Sequence, residues 1–382
     1  MTTQLSLVMI VRDEALALPG FLAHHAGLWD EAVVVDTGSR DGTPALARAA
    51  GAHVVTHPWR DDFAAARNVA LAAAKGERLL LLDADERIAA SDFPGVRAMA
   101  AGPPCAWLMD VRNYCTDRSH LEWRPVRGQY PQEEEGQTGY FVSRRVGLFP
   151  RLATVRFRGR IHETVLPDCE ESGLPLHTSP VAVHHFGYVG PPAVAARRLT
   201  TYERLTALKL AEDPDDPAAL LEQATLLLES GRADQAEPLL EGLAALPGIV
   251  RPVARGRYLL ARLRREQARP AEAEMLLVAA TCDDPAFLFP WVELTRVQAA
   301  GERWRDVFAT LARARAVCGD DEPLLDREEL LALARSGRLV EARALAARLT
   351  AACPRWPEIA ALDERLSRLL AERSAGGSGG GA

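Results

Sequence analysis

Three acidic residues close an all-leucine run in Leu79-Leu80-Leu81-Leu82-Asp83-Ala84-Asp85-Glu86. Carboxylates crowded at the mouth of a buried strand repel one another unless a cation neutralises them. Oxygen donors of this kind select hard divalent ions, Mg²⁺ or Mn²⁺, and such an ion in turn holds a diphosphate. A lone D-x-D is common among solvated loop acids, so its place after a tetra-leucine strand is what carries the metal expectation. A second acidic site stands in Asp36-Thr37-Gly38-Ser39-Arg40-Asp41-Gly42-Thr43. Asp36 directly follows the apolar residues 32–35, which brings its carboxylate to the same sheet edge, ready to accept hydrogen bonds from a base or ribose. Gly38 and Gly42 permit positive φ, and Thr43 with Pro44 reads as an N-cap and first helical position. The chain holds neither G-x-G-x-x-G nor G-x-x-x-x-G-K-[ST], so dinucleotide and P-loop readings lose their support.

The elements that must position these residues alternate. Residues 5–11, 31–35, 53–56 and 78–82 are short β-branched or leucine-rich runs, as in strands buried on both faces. Helical patterns at 14–28, 44–50 and 63–74 lie between them. This order predicts a mainly parallel sheet covered on both faces, with ligands at the strands' carboxyl ends, in the loops after Val11, Val35 and Leu82. Residues 102–190 are rich in aromatics, Arg, Pro and Gly, and read as mixed strands and loops completing that domain on its acceptor side. Within them, Glu133-Glu134-Glu135 reads as a solvated acidic run. From about residue 193 the pattern is helical throughout. Four helix-turn-helix units fit in register, with turn positions 231, 268, 301 and 337 recurring every 33 to 37 residues, near the 34-residue tetratricopeptide period. The expected organisation is an α/β domain over 1–200, an all-α tetratricopeptide-like repeat domain over 201–372, and a flexible Gly/Ser tail over 373–382.

Composition narrows the function classes. A net charge of −7 argues against nucleic-acid binding, which requires a basic surface. No apolar run approaches the roughly 20 residues of a membrane helix. The first residues carry no basic n-region, so no signal peptide is expected. The six cysteines form no C-x-x-C pair, which fits a reduced, cytoplasmic protein without a disulfide framework or zinc ribbon.

Four segments together resemble the inverting family 2 glycosyltransferases of GT-A fold, a Rossmann-like architecture. They are Val8-Met9-Ile10-Val11-Arg12-Asp13-Glu14, Val33-Val34-Val35-Asp36-Thr37-Gly38-Ser39-Arg40-Asp41-Gly42-Thr43, Leu82-Asp83-Ala84-Asp85-Glu86 and Trp59-Arg60-Asp61-Asp62-Phe63-Ala64-Ala65-Ala66-Arg67-Asn68. The last is typical of a bacterial branch that often carries tetratricopeptide repeats. That branch is similar to bacteriocin peptide S-glycosyltransferases and, more distantly, to lipopolysaccharide-core glucosyltransferases. The resemblance implies that Asp36 contacts the nucleotide base, Asp83 the ribose and sugar, and Asp85 a metal bridging the diphosphate. It places Arg12 and Glu14 beside the nucleotide. Arg67 and Asn68 would line the donor pocket, with a helix-surface ion pair the alternative for Arg67. Inversion needs a general base. The family commonly supplies it from a later Glu-Asp motif, and in Ile161-His162-Glu163 the nearest candidate is Glu163, with His162 orienting it or binding the acceptor. Many GT-A enzymes return a later His to the metal, and the H-x-G-Y spacing of His185-Phe186-Gly187-Tyr188 selects His185. Arg197 and Arg198 are candidate diphosphate contacts. The reaction so implied moves one sugar from a nucleotide-sugar, UDP-linked by expectation, to an acceptor. Helical repeats suit a peptide or protein acceptor, with a cell-envelope glycan the alternative. A nucleotidyltransferase and a catalytically inactive repeat scaffold are the rivals from other classes.

Overall fold

The computed structural model describes residues 4–115, 117, 122–189, 192–246 and 251–376, excepting the side chains of 192–198 and 373–376. The chain forms two compact units, Met1–Trp123 with Tyr130–Leu205, and Arg124–Gln129 with Thr206–Ala382. Its elements begin with β1 (Leu5–Val11), α1 (Leu18–His24), β2 (Glu31–Asp36), α2 (Thr43–Ala49), β3 (His53–Thr56), α3 (Phe63–Ala73), β4 (Arg78–Leu81) and β5 (Glu86–Arg87). They continue with α4 (Phe93–Ala101), β6 (Ala106–Tyr114), β7 (Arg124–Pro125), β8 (Gly139–Pro150), α5 (Leu166–Glu171), β9 (Leu176–Thr178), β10 (Val183–His185) and α6 (Pro192–Glu212).

The first unit is a mixed sheet in the order β3-β2-β1-β4-β8-β6-β10-β5. Its opening half is parallel, β1 lying between β2 and β4. The antiparallel β8 then separates β4 from β6. Strand periodicity of two splits the apolar runs between two cores. Leu5, Leu7, Met9 and Val11 pack with Leu18 and Phe21 of α1 and Val96 and Met99 of α4. Val8 points the other way, with Val33, Val35, Leu79 and Leu81, onto Ala64 and Ala70 of α3.

The helical pattern read from residue 14 begins only at Leu18. The reason lies in the backbone: Asp13 has φ 58°, and the N–H groups here bond to the neighbouring β2–α2 loop. Asp13 N donates to Ser39 Oγ (2.9 Å), Glu14 N to Thr43 Oγ1 (2.8 Å) and Ala15 N to Asp41 Oδ2 (3.1 Å), while Arg40 N donates to Asp13 Oδ1 (2.7 Å). These four bonds tie residues 13–15 to the β2–α2 loop, and a single turn closed by Leu18 N on Glu14 O (2.9 Å) leads from there into the regular helix.

The second unit continues with α7 (Pro217–Glu229), α8 (Ala233–Ala245), α9 (Arg251–Glu266), α10 (Pro270–Asp283), α11 (Leu288–Ala300), α12 (Trp304–Cys318), α13 (Pro323–Arg335), α14 (Leu339–Ala352) and α15 (Pro357–Gly376). Each helix packs on the next, and α9 also on α7 and α11, α13 on α11. The turn inside each pair is closed by one left-handed residue: Gly231, Ala268, Glu302 or Gly337, recurring every 34 to 37 residues. The third falls at Glu302, one residue beyond the Gly301 read from sequence, because Gly301 keeps φ −86°. An arginine follows each of them, its N–H donating back across the turn (Arg232 to Leu227 O, Arg269 to Arg264 O, Arg303 to Gln298 O, Arg338 to Leu333 O), the helix-end pattern that satisfies orphan carbonyls. The next helix buries Ala236, Ala273, Val307 or Ala342 at the same place in each unit. This in-register burial, rather than signature aromatics, makes the array tetratricopeptide-like. The expected boundary at 200/201 falls within α6.

Candidate active site

The carboxyl ends of β1, β2 and β4 form the edge at which the sequence places chemistry. Asp36 ends β2 with 4% exposure, and its Oδ1 accepts a bond from Ser39 N (3.1 Å). Arg12 is exposed after β1. Glu14 is half-buried beside the other acids. Burial first, then the charges of Asp85, Asp83, Asp41 and Asp13, raise its pKa to about 7. Burial is the larger cause, and the four carboxylates around Glu14 add negative charge that a cation would offset.

Asp83 and Glu163 share one guanidinium. Arg67, 6% exposed on α3, donates from Nη1 and Nη2 to the two oxygens of Asp83 (3.0 and 2.9 Å) and from Nε to Glu163 Oε1 (2.7 Å). Burial alone would raise the Asp83 pKa, but the adjacent Arg67 charge outweighs it and holds the carboxylate below its usual range. Asn68, the next residue, bonds the backbone of Phe157 at both N and O (2.8 and 3.0 Å). His162 has φ 51°, and its exposed ring stands 5.7 Å from that of Tyr202, edge-on.

Asp85 faces His185, with Oδ2 and Nε2 3.1 Å apart. Behind the ring, Asn113 Oδ1 lies 2.6 Å from Nδ1, opposite His185 in the β6–β10 register. An amide oxygen accepts only, so Nδ1–H donates to Asn113, and without an ion Nε2–H donates to the Asp85 carboxylate; a bound cation would take the place of that second proton. Burial would lower the His185 pKa, but the bond to Asp85 reverses this and the net shift is upward. Its neighbour His184 turns to the opposite face, with Nδ1 2.7 Å from Tyr114 Oη.

The Asp85–His185 pair fits a divalent ion. Adjacent ligands of an octahedral ion at about 2.1 Å stand about 3.0 Å apart, near the observed separation, and a carbonyl oxygen behind the ligating His is the usual support. A Cβ on Gly187 would lie 2.5 Å from His185 Nε2 and 2.7 Å from Asp85 Oδ2, so only glycine leaves the pair uncrowded. Among the described residues no group of three or more His, Cys, Asp or Glu gathers around one point. Two protein donors are nevertheless enough for an ion that keeps water and substrate phosphates.

Asp36, Asp83, Asp85, Glu14, Arg67, Glu163 and His185 thus belong to one edge or are linked through it. Asn68 is engaged with Phe157, and the side chains of Arg197 and Arg198 lie outside the described residues. Sequence reading missed Asn113 and Gly187. It also missed Arg145, which binds Glu86 (2.7 and 2.5 Å) while Glu86 accepts from Asp83 N (2.9 Å). The solvated reading of 133–135 holds for the exposed Glu135 and is corrected for the other two: Glu133 and Glu134 are 4% and 0% exposed, and Glu134 pairs with Arg112 at 3.3 Å.

Residues 6–153 match the family described as Glycosyl transferase family 2, and the helices in tetratricopeptide-like register follow that match. A TPR repeat-containing protein of Synechococcus elongatus is 35% identical over 281 residues, 69% of this chain and 62% of that protein. The chain therefore spans less than two thirds of that relative's length. Among solved structures, a thermophilic TPR protein of Thermus thermophilus aligns at 21% identity and TM-score 0.35, covering 46% of this chain and 93% of that one. A mannosyltransferase of Pyrobaculum calidifontis in complex with GDP-Man and Mn²⁺ aligns at 20% identity and TM-score 0.37, covering 74% and 87%. Among the described residues no helix is long and apolar enough to cross a membrane.

Proposed function

We propose that this chain is an inverting, metal-dependent glycosyltransferase moving a single sugar from a nucleotide-sugar, UDP-linked by preference, to a peptide or protein acceptor held by the helical repeats. The observation that carries the reading is the opposition of Asp85 to His185, with Asn113 fixing the ring, beside a carboxylate pair on Arg67. Asp36 receives the base, and Asp83 the ribose and sugar. Arg12 and Glu14 flank the nucleotide, and Asn68 borders the donor pocket through the segment it holds. Asp85 and His185 hold Mg²⁺ or Mn²⁺, which when bound neutralises charge on the departing diphosphate. Arg197 and Arg198 would add to that neutralisation.

Glu163 accepts the proton of the acceptor nucleophile as that atom attacks the anomeric carbon from the face opposite the diphosphate. His162, exposed next to it, orients the acceptor. The arrangement separates the two demands of the reaction: charge stabilisation at Asp85 and His185, proton removal at Glu163.

Binding tests the donor half directly. In thermal unfolding with UDP, GDP or ADP, each with and without Mn²⁺, UDP plus Mn²⁺ is expected to stabilise the protein most. At about 100 times the dissociation constant the gain is about 2.7 kcal/mol, and Asp85→Ala removes the Mn²⁺-dependent part. Equal stabilisation by all three nucleotides, or none by any, contradicts the reading.

A further inference from the structure

The run Asp61-Asp62-Phe63-Ala64-Ala65-Ala66-Arg67-Asn68 supplies more than a donor-lining arginine. Four of its residues reach one segment, residues 157–163, the first through Asp61 O, which accepts from Arg160 Nη1 (3.1 Å). Phe63 N donates to Arg160 O (3.0 Å). Asn68 bonds Phe157 at both N and O, and Arg67 bonds Glu163. The segment is closed on itself by an isolated antiparallel bridge, Arg158 with Thr164, through a turn with Gly159 at φ 95° and His162 at φ 51°. The Arg67 guanidinium also lies 5.9 Å above the Phe157 ring. Asp62 caps α3, accepting from Ala65 N (2.8 Å), so the helix presenting these groups is itself anchored at the start of the run.

Resting on the function proposed above, we infer that Arg67 is a positioning residue. It fixes the base Glu163 at a set distance from the donor-holding Asp83 by engaging both on one planar guanidinium. Three of its N–H bonds are committed, two to Asp83 and one to Glu163, and the side chain is nearly inaccessible. Its influence on the reaction therefore runs through those two carboxylates. A planar fork meets both at once, whereas an ammonium does not reproduce the fork. Displacement of a reacting group by about 1 Å costs about 100-fold in rate, so the geometry held here is worth holding.

The test is a double-substitution cycle on the full chain, with Arg67→Lys, Glu163→Gln and the pair. The readout is nucleotide release from UDP-glucose, UDP-N-acetylglucosamine and GDP-mannose at saturating donor with Mn²⁺, water serving as acceptor. Near-ultraviolet circular dichroism confirms folding, and Arg67→Gln replaces Arg67→Lys in the cycle if the lysine variant unfolds. Glu163→Gln is expected to lower kcat about 100-fold or more, and Arg67→Lys about 10- to 100-fold. The pair should fall within about 3-fold of Glu163→Gln alone in kcat, because at saturating donor the Asp83 arm shows in the donor KM and the Glu163 arm is what remains in kcat. If the pair instead loses the full Arg67→Lys factor again, Arg67 acts on the donor or the fold and the inference is overturned. A Glu163→Gln variant as fast as wild type overturns it too, while leaving donor turnover intact. No turnover of any of the three donors by the wild type would sink the underlying function itself.

Discussion

An ion arriving between Asp85 and His185 changes the charge that Glu14 feels. Burial and four nearby carboxylates hold Glu14 at about pH 7, so near neutrality it is about half protonated. A divalent cation offsets that repulsion and favours the carboxylate, so Mn²⁺ binding at pH 7 is expected to release about half a proton from Glu14. Calorimetry in buffers of different ionisation enthalpy measures this. Heats independent of buffer, or a release undiminished in Glu14→Gln, would contradict it. Gly187→Ala places a methyl within 2.7 Å of both ligand atoms, so that one of them must move, and should weaken Mn²⁺ at least about 10-fold. Unaltered Mn²⁺ affinity would place the ion elsewhere. At this scale the acids were legible because a carboxylate directly after a buried strand has few places to go. Asn113 and Gly187 were not, since their roles arise from cross-strand register and from an approach of backbone to side chains, neither of which local spacing encodes. Glu133 and Glu134 misled for a related reason: their polar-looking loop packs inward against Arg112.

At the scale of elements, β1 and β3 were legible to the residue, since β-branched runs between turn signals leave little choice. The start of α1 was not, because Asp13 takes φ 58° and residues 13–15 are tied to the β2–α2 loop, so one turn closed from Leu18 N to Glu14 O precedes the regular helix. The end of α1 makes its own prediction. His25 is buried and neutral, its Nδ1 bonded to Phe21 O (2.9 Å) and its Nε2 accepting from Ile88 N (3.0 Å). Burial lowers its pKa to about 4, below the unfolded value near 6.5. The contribution is full above pH 6.5 and is lost as pH falls from there through 4. It amounts to on the order of 3 kcal/mol. Urea titrations at pH 7 and pH 4 should show that loss, and His25→Gln should reduce it. An undiminished pH slope in the variant would assign the acid sensitivity to other groups. In the repeats, Ala268 holds φ 58°, which disfavours a side chain by about 1–2 kcal/mol. Ala268→Gly is expected to stabilise the second unit by about 0.5–1 kcal/mol after the glycine's entropy loss, read as a higher urea midpoint. A lower midpoint would mean that the alanine methyl contributes contacts worth more than the strain.

For the whole molecule, the sequence period was visible because each repeat spends one left-handed residue at its turn. The limit between units was hidden by α6, which runs from Pro192 to Glu212 without a break. Segment Arg124–Gln129 also groups with the second unit. There Arg124 pairs with Glu322 (3.0 Å) and lies 5.5 Å over Phe289, and Arg127 binds Asp321 at 2.7 Å. No periodicity announces a borrowed segment of this kind. The central claim, that the Asp36, Asp83 and Asp85 edge turns over a nucleotide-sugar with a divalent ion, meets its most direct test in nucleotide release from a panel of UDP- and GDP-sugars. Steady release from one donor with Mn²⁺ is expected, abolished by chelation and restored by added ion, and absent from Asp85→Ala. Release that ignores chelation and persists in Asp85→Ala would contradict it.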